Sequence, residues 1–353
     1  MRLFSTEQVS RWHPDKYADQ ISDSILTACL KEDPNSHCGI ETLVKDDTIV
    51  LAGEMSTEAK VDVAEVARCV GWKLRYPVGK VINLISKQSP EIKKAVDTPE
   101  EIGAGDQGIM FGCATRDTLS FLPYGFDLAN RIIAIIQEDV ENNPDTILLG
   151  DAKTQVTVDL DKRGPDSINR ILISAAHKYR CSLDHVKAYI GALMSRHLKD
   201  LESCDVGTLL INPAGTWTIA GPAADCGLTG RKIVCDQYGG YVPVGGGAFS
   251  GKDPSKVDRS ASYMARHIAK ELLEKIEAEE IRSVQVQLAY AIGVPEPVSV
   301  NVITDYSGDS FDEWCAEYIR KSYPLTPRGI IQYLDLLNKD YEIIAEGCHY
   351  RPM

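Results

Sequence analysis

Three times along 353 residues one pattern recurs: two β-rich or alternating runs, then an amphipathic helical run. The first pair is Cys38–Val44 and Thr48–Met55, turned by Lys45-Asp46-Asp47. Val61, Ala64, Val66 and Val70 follow at helical spacing. In the second, Thr154, Val156, Val158 and Leu160 alternate, Asp161–Pro165 makes the turn, and Ile168–Ala175 returns. Leu183, Val186, Ile190 and Leu193 then share a helical face. In the third, Val284, Val286, Leu288, Tyr290 and Ile292 alternate; Gly293–Pro297 separates them from Val298–Ile303, and a helix follows at Phe311–Tyr318. Further helices are expected at Lys16–Leu30, Gly125–Glu141 and Arg259–Glu279. The last carries Met264, Ile268, Leu272, Leu273 and Ile276 on one side. A hairpin with one apolar face must bury that face against something. The pattern therefore predicts an α+β fold of three similar sheet-plus-helix units. Sheet faces left bare by the helices need one another or a second subunit. In sequence the modules fall at 1–90, 100–219 and 220–353, with structural units expected to interleave across those boundaries.

Composition narrows the function classes. Apolar residues make up 44% and charged residues 25%, and no apolar run nears the roughly 18 residues that span a bilayer. Met1–Thr6 leads straight into polar sequence, with no secretory signal pattern. A net charge of −13 disfavours nucleic acid, whose phosphates it repels, yet leaves room for a locally basic pocket. Ten cysteines include no C-x-x-C pair. They read as reduced thiols of a cytoplasmic protein.

The densest chemistry lies between Asp225 and Arg259, a segment with eight glycines. Arg231, Lys232, Lys252, Lys256 and Arg259 share it with Asp225, Asp253 and Asp258. Glycines let backbone N–H groups approach oxyanions, lysine and arginine supply countercharge, and interspersed aspartates suit Mg²⁺ held against phosphate. Gly246, Gly251 and Lys252 fit most of a P-loop. Asp253 replaces its hydroxyl, however, and Pro254 interrupts its helix, so a P-loop NTPase is disfavoured. His13-Pro14-Asp15-Lys16, at the start of a helix, offers a polar ring, a carboxylate and a cation together. Gly103–Gly108 carries Asp106 in a tight backbone. Asp151-Ala152-Lys153 opens the second strand pair.

Taken together, these segments resemble the methionine adenosyltransferase (S-adenosylmethionine synthetase) family along nearly the whole chain. The resemblance includes His13–Lys16 with Ala18–Asp23, Glu41-Thr42, Gly53-Glu54, Lys87–Pro90, Gly103–Gly108, Asp151–Lys153, Asp225–Lys232, Gly245–Arg259 and Tyr290–Val294. It implies three α+β units around a pseudo-threefold axis, and homodimers paired through flat sheets with active sites between subunits. It implies that methionine sulfur attacks C5′ of ATP, and that the departing triphosphate is hydrolysed to pyrophosphate and phosphate. His13 would stabilise the leaving oxygen. Lys153, Arg231, Lys232, Lys252 and Lys256 would grip the triphosphate. Asp151, Ser250 and Asp225 belong to the ATP site, Asp225 at the ribose, with Trp217 on adenine. Glu54, Gln88, Asp106 and Ile292 would hold methionine. Asp15 and Asp258 would bind Mg²⁺, two ions per site, and Glu41 would serve K⁺.

Leu74–Asn83 is shorter than the corresponding stretch of relatives and lacks their Gly-Phe-Asp element, so an enzyme without its closing loop is expected. Trp12 and Thr216 replace a small residue and an arginine of the family. The alternatives to an active enzyme are an inactive homologue serving as a binding or regulatory subunit, and an ATP hydrolase without a methionine pocket.

Overall fold

The structure is a computed structural model describing residues 1–87, 103–201, 208–278, 280–306 and 308–351. Eleven strands and nine α-helices are seen in those residues. In chain order they are β1 (Leu3–Val9), α1 (Pro14–Glu32), β2 (His37–Lys45), β3 (Thr48–Ser56), α2 (Val63–Lys73), β4 (Lys80–Ser86) and β5 (Gly108–Thr115). Then come α3 (Tyr124–Asn142), β6 (Leu148–Asp159), β7 (Ile168–His177), α4 (Leu183–His197), β8 (Thr208–Ile211), β9 (Gly227–Leu228) and α5 (Ile233–Asp236). The chain closes with α6 (Val257–Lys275), β10 (Ser283–Tyr290), β11 (Ser299–Thr304), α7 (Asp309–Ser322), α8 (Pro327–Tyr333) and α9 (Tyr341–Ile344).

Three sheets result, ordered β4-β3-β2-β9, β1-β6-β7-β8 and β11-β10-β5. Each is built on one antiparallel hairpin: β2–β3, β6–β7 or β10–β11. In the first two units a helix leads from the hairpin to a parallel edge strand, β4 or β8. The other edge is always borrowed. β1 pairs with β6, β5 with β10, and β9 with β2, all antiparallel. Helices α1, α3 and α6 cover one face of the three sheets. This is the predicted α+β architecture of three similar units around a pseudo-threefold axis.

Local chemistry explains the helix limits. Pro14 at the first helical position suits the start of α1, where its missing N–H costs nothing. The Asp62 side chain accepts N–H bonds from Ala64 and Glu65, each at 3.1 Å, and so starts α2. That cap phases α2 so that Val63, Ala67 and Val70 are buried, with Leu74 beyond its end. Of the expected face of Val61, Ala64, Val66 and Val70, only Val70 is buried, and the other three are half-buried. Two strand ends also differ. Leu160 and Ile292 lie outside β6 and β10 and are exposed. Asp159 turns the chain by accepting the Asp161 N–H at 3.1 Å. Helix α6 ends at Lys275, short of Glu279, with Ile276 as its cap.

Among the described residues no helix is long and apolar enough to cross a membrane. Helix α1 is buried almost all round, including Asp15, Lys16, Asp19, Gln20 and Asp23. A helix with that much buried charge is expected to do more than pack.

Candidate active site

The N-terminus of α1 gathers the first group of site residues. His13 caps the helix, and its Nδ1 accepts the Asp15 N–H at 3.1 Å. With Nδ1 accepting, the proton of the neutral ring is assigned to Nε2. Burial, then Lys232 and Lys153, push the His13 pKa down to about 3. The ring is therefore a neutral donor at physiological pH.

Asp15 is buried, which alone would raise its pKa. Lys232, the Leu228 N–H and Arg231 outweigh this and hold it below the usual carboxylate range. Its oxygens meet the Leu228 N–H at 2.9 Å, Arg231 Nε at 2.9 Å and Lys232 Nζ at 2.6 Å. Lys153 stands on the open face of β6, between Val9 and Ser174 of the neighbouring strands. Asp151, two residues before it, is buried. One of its oxygens accepts the Gly221 N–H at 2.8 Å, and the other has no partner among the described residues. Burial raises the Asp151 pKa to about 6, with the Gly221 N–H and Lys153 opposing and Asp225 adding. Asp225 is exposed and accepts the N–H of Cys226 at 2.8 Å. Trp217 is half-buried. Its backbone N–H donates to His177 Nε2 at 3.1 Å and its indole N–H to the Ile219 carbonyl at 2.7 Å.

The second group forms around Lys252. Lys252 Nζ meets Asp258 at 2.6 Å, and its backbone bridges Gly39 of β2. A Cβ on Gly247 would lie 2.2 Å from the Asp258 carboxyl, and one on Gly108 would lie 3.4 Å from it. A side chain at 247 would push the Asp258 carboxylate aside, so glycine there lets the loop lie against it. Loop 103–108 runs beside loop 291–294, with the Gly293 N–H donating to the Ala104 carbonyl at 2.8 Å. Exposed Asp106 and Ile292 are carried on those two loops. Glu41 and Glu54 stand on the open faces of β2 and β3. Desolvation raises the Glu41 pKa, Lys252 opposes it, and Asp19 adds to it.

Three residues need separate mention. Ser250 is buried and its hydroxyl has no partner among the described residues. Lys256 caps α6 and is paired with Asp253. Gln88 lies outside the described residues. Asp253, which breaks the P-loop pattern, faces inward; its carboxylate accepts the Cys38 N–H at 2.7 Å and the Ser255 N–H at 2.9 Å. Helix α6 begins at Val257, five residues after Lys252, as the disfavoured P-loop reading requires.

The two groups meet through α1, and here sequence reasoning missed a layer. Asp19 accepts the Gly230 N–H at 2.9 Å and pairs with Lys16 at 3.0 Å. Asp23 accepts the Gly251 N–H at 2.8 Å and pairs with Arg259 at 2.5 Å. The available signal was the spacing of Asp15, Asp19 and Asp23 at i, i+4 and i+8.

Models of the N-terminal, central and C-terminal domains of S-adenosylmethionine synthetase match residues 1–97, 101–217 and 219–352 in order. The chain belongs to the S-adenosylmethionine synthetase family. The S-adenosylmethionine synthase of Salinibacter ruber is 41% identical over 363 aligned residues, covering 99% of this chain and 93% of that one. Those of Helicobacter pylori and Petrotoga mobilis are each 40% identical, covering 99% of this chain and 92% and 93% of theirs. As a member of this family the chain spans nearly the full length of these relatives.

Proposed function

We propose that this chain makes S-adenosylmethionine from ATP and L-methionine, releasing phosphate and pyrophosphate. The observation that carries the reading is the His13–Asp15–Arg231–Lys232 cluster. It sets a neutral ring donor beside cations that a single carboxylate only partly neutralises. The sulfur lone pair forms the S–C5′ bond while C5′–O5′ breaks, and the electron pair leaves on the triphosphate oxygen. A thioether needs no general base, so the work falls on the leaving group. His13 Nε2–H donates toward that oxygen. Lys153, Arg231, Lys232, Lys252 and Lys256 hold the polyphosphate. Water then cleaves the bound triphosphate. Asp151, Asp225 and Ser250 serve the nucleoside, and the unpartnered Asp151 oxygen and Ser250 hydroxyl are ready for it. Trp217 stacks on adenine. Glu54, Gln88, Asp106 and Ile292 hold methionine.

Asp15 and Asp258 fit Mg²⁺. Among the described residues no three His, Cys, Asp or Glu converge as a full protein cage. Single carboxylates among cations suit an ion that takes its other oxygens from phosphate and water. When bound, Mg²⁺ supplies countercharge to the leaving polyphosphate. A K⁺ at Glu41 would offset the desolvation, and the smaller repulsion from Asp19, that lift its pKa.

We also read the protein as a homodimer. The open face of the first sheet presents Leu43, Val50, Ala52, Ile82 and Leu84 in register beside Glu41 and Glu54. Leu43 and Leu84 are 37% and 62% exposed. Pairing two such faces would cover them and bring Glu41 and Glu54 to the contact between subunits. On this reading the α2–β4 connection supplies no moving cover. It is tied down by the Tyr76 N–H to the Gly71 carbonyl at 2.8 Å, the Gly79 N–H to the Asp47 carbonyl at 2.8 Å, and the Tyr76 hydroxyl to the Trp12 carbonyl at 2.6 Å. Stopped-flow fluorescence should show no slow closure phase that responds to changes in this connection.

The deciding assay incubates the protein with ATP, methionine, Mg²⁺ and K⁺ and counts products. Equal sulfonium, pyrophosphate and phosphate is the expected result. A folded protein without turnover would favour an inactive homologue, and ATP loss independent of methionine would favour a hydrolase.

A further inference from the structure

Asp15, Asp19 and Asp23 stand above one another on one face of α1, about 6 Å apart per step. Each accepts one backbone N–H, from Leu228 at the end of β9 and from Gly230 and Gly251 in loops, at 2.8–2.9 Å. Gly230 and Gly251 share two properties. Both have positive φ, +76° and +81°, and both directly precede the cations assigned to phosphate, Arg231-Lys232 and Lys252. Such glycines are the loosest links in a loop unless their amides are held.

The holders are themselves fixed. Asp19 and Asp23 are fully buried. The second oxygen of Asp19 meets Lys16, which also meets Asp236 at 2.6 Å. The second oxygen of Asp23 meets Arg259, whose guanidinium also donates to the Lys252 carbonyl at 3.0 Å. The Asp23–Arg259 pair thus grips the Gly251–Lys252 dipeptide at its first N–H and its last C=O. In the same way, Asp19 grips the residue before Arg231.

We propose that Asp19 and Asp23 are positioning residues that use α1 as a ruler, each anchoring one cationic loop so that Arg231-Lys232 and Lys252 are held at fixed places before the polyphosphate arrives. The inference rests on the phosphate-binding reading given above. Its physical basis is preorganisation, since cations already in place need no reordering when charge develops on the leaving group.

The test uses tripolyphosphate with Mg²⁺ as probe, titrated calorimetrically, together with amide hydrogen exchange on the full chain. Asp19→Ala should weaken tripolyphosphate binding at least tenfold and speed exchange at 228–232 while sparing 250–252. Asp23→Ala should do the converse. In both, kcat should fall by a larger factor than the KM for methionine rises. Asp19→Asn keeps an oxygen able to accept the Gly230 N–H, and should recover most of the lost affinity. Exchange that quickens evenly over the whole molecule would overturn the proposal, as would unchanged affinity with a loosened loop. An Asn variant as damaged as the Ala variant would do the same. Should the alanine variants fail to fold, the unmutated protein decides. Its Gly230 and Gly251 amides should exchange as slowly as those of α1, and free-loop rates would overturn the proposal. An unmutated protein that binds no tripolyphosphate would instead overturn the phosphate-binding reading, recognisably so because the exchange pattern can stand without it.

Discussion

Two buried groups at the site have pKa values shifted in opposite directions, and each makes a prediction. His13 is held near 3 by burial, Lys232 and Lys153. Its folded pKa lies below the ordinary value of 6.5, so between about pH 3 and 6.5 the unfolded chain binds the extra proton. His13 therefore contributes stability that is present above pH 6.5 and is lost as pH falls through that window. The imidazole carbon shifts of His13 should stay constant from pH 5.5 to 8 in the ligand-free protein. A titration near 6.5 would contradict the arrangement. As the donor to the leaving oxygen, His13 should matter to kcat: His13→Ala is expected to lose about 100- to 1,000-fold. Asp151 runs the other way. Its folded pKa of about 6 exceeds the ordinary 3.8, so the folded state holds the extra proton in that window and stability falls as pH rises through it. Above pH 6 the buried charge costs about 1–3 kcal/mol. Asp151→Asn should therefore raise urea stability at pH 8 by about that amount, show little gain at pH 4, and lower activity. A gain over the unmutated protein no larger at pH 8 than at pH 4 would sink this account. Stability given up at a binding site is a familiar exchange.

At the level of elements, α1 and its neighbours show how tightly the site is framed. Gly150 has φ +100°, and a Cβ there would lie 2.6 Å from the Trp12 ring. That ring cannot yield. Its indole N–H donates to the Leu74 carbonyl at 3.1 Å, and Arg11 lies over it at 4.5 Å. Gly150→Ala should cost roughly 2–4 kcal/mol, from backbone strain and overpacking together. Gly164→Ala is the control. Its φ is +55° but nothing among the described residues lies within 4 Å of an added Cβ, so only the strain of about 1 kcal/mol applies. Equal losses in the two variants, read from urea midpoints, would refute the packing argument. The same region shows what a sequence can reveal. Alternation placed β10 because Val284, Val286, Leu288 and Tyr290 all face the core. The glycine-lysine segment announced its chemistry because charge and backbone freedom both show in residue type. The phase of α2 did not, since it is set by where Asp62 caps it. Nor did Asp19, Asp23 and Arg259, because charges on a helix ordinarily read as a solvated face. Asp19 and Asp23 are met by loops more than 200 residues away in the chain, and Arg259 by Asp23 itself.

On the scale of the whole molecule, the three units exchange edge strands in a ring. β1 precedes the first unit's helix but completes the second sheet, β5 completes the third, and β9 completes the first. The exchange was invisible in the sequence because edge strands carry weak alternation and their partners are distant. β1 runs Leu-Phe-Ser-Thr-Glu-Gln-Val, and its Leu3 pairs with Asp159. The consequence is cooperativity. No continuous third of the chain holds a complete sheet, so no unit can open without removing an edge from its neighbour. The full chain should therefore unfold in urea as one transition, with far-ultraviolet circular dichroism and tryptophan fluorescence superimposing. Residues 101–217 expressed alone should not fold. That fragment keeps β5 without β10 and β6 without β1, leaving one strand unpaired and the second hairpin with a bare edge. A dispersed amide spectrum and a cooperative melt from the fragment would show the units to be autonomous. Two resolved transitions in the full chain would show the same. Either result would mean that the ring of borrowed strands decorates three independent folds instead of holding them together.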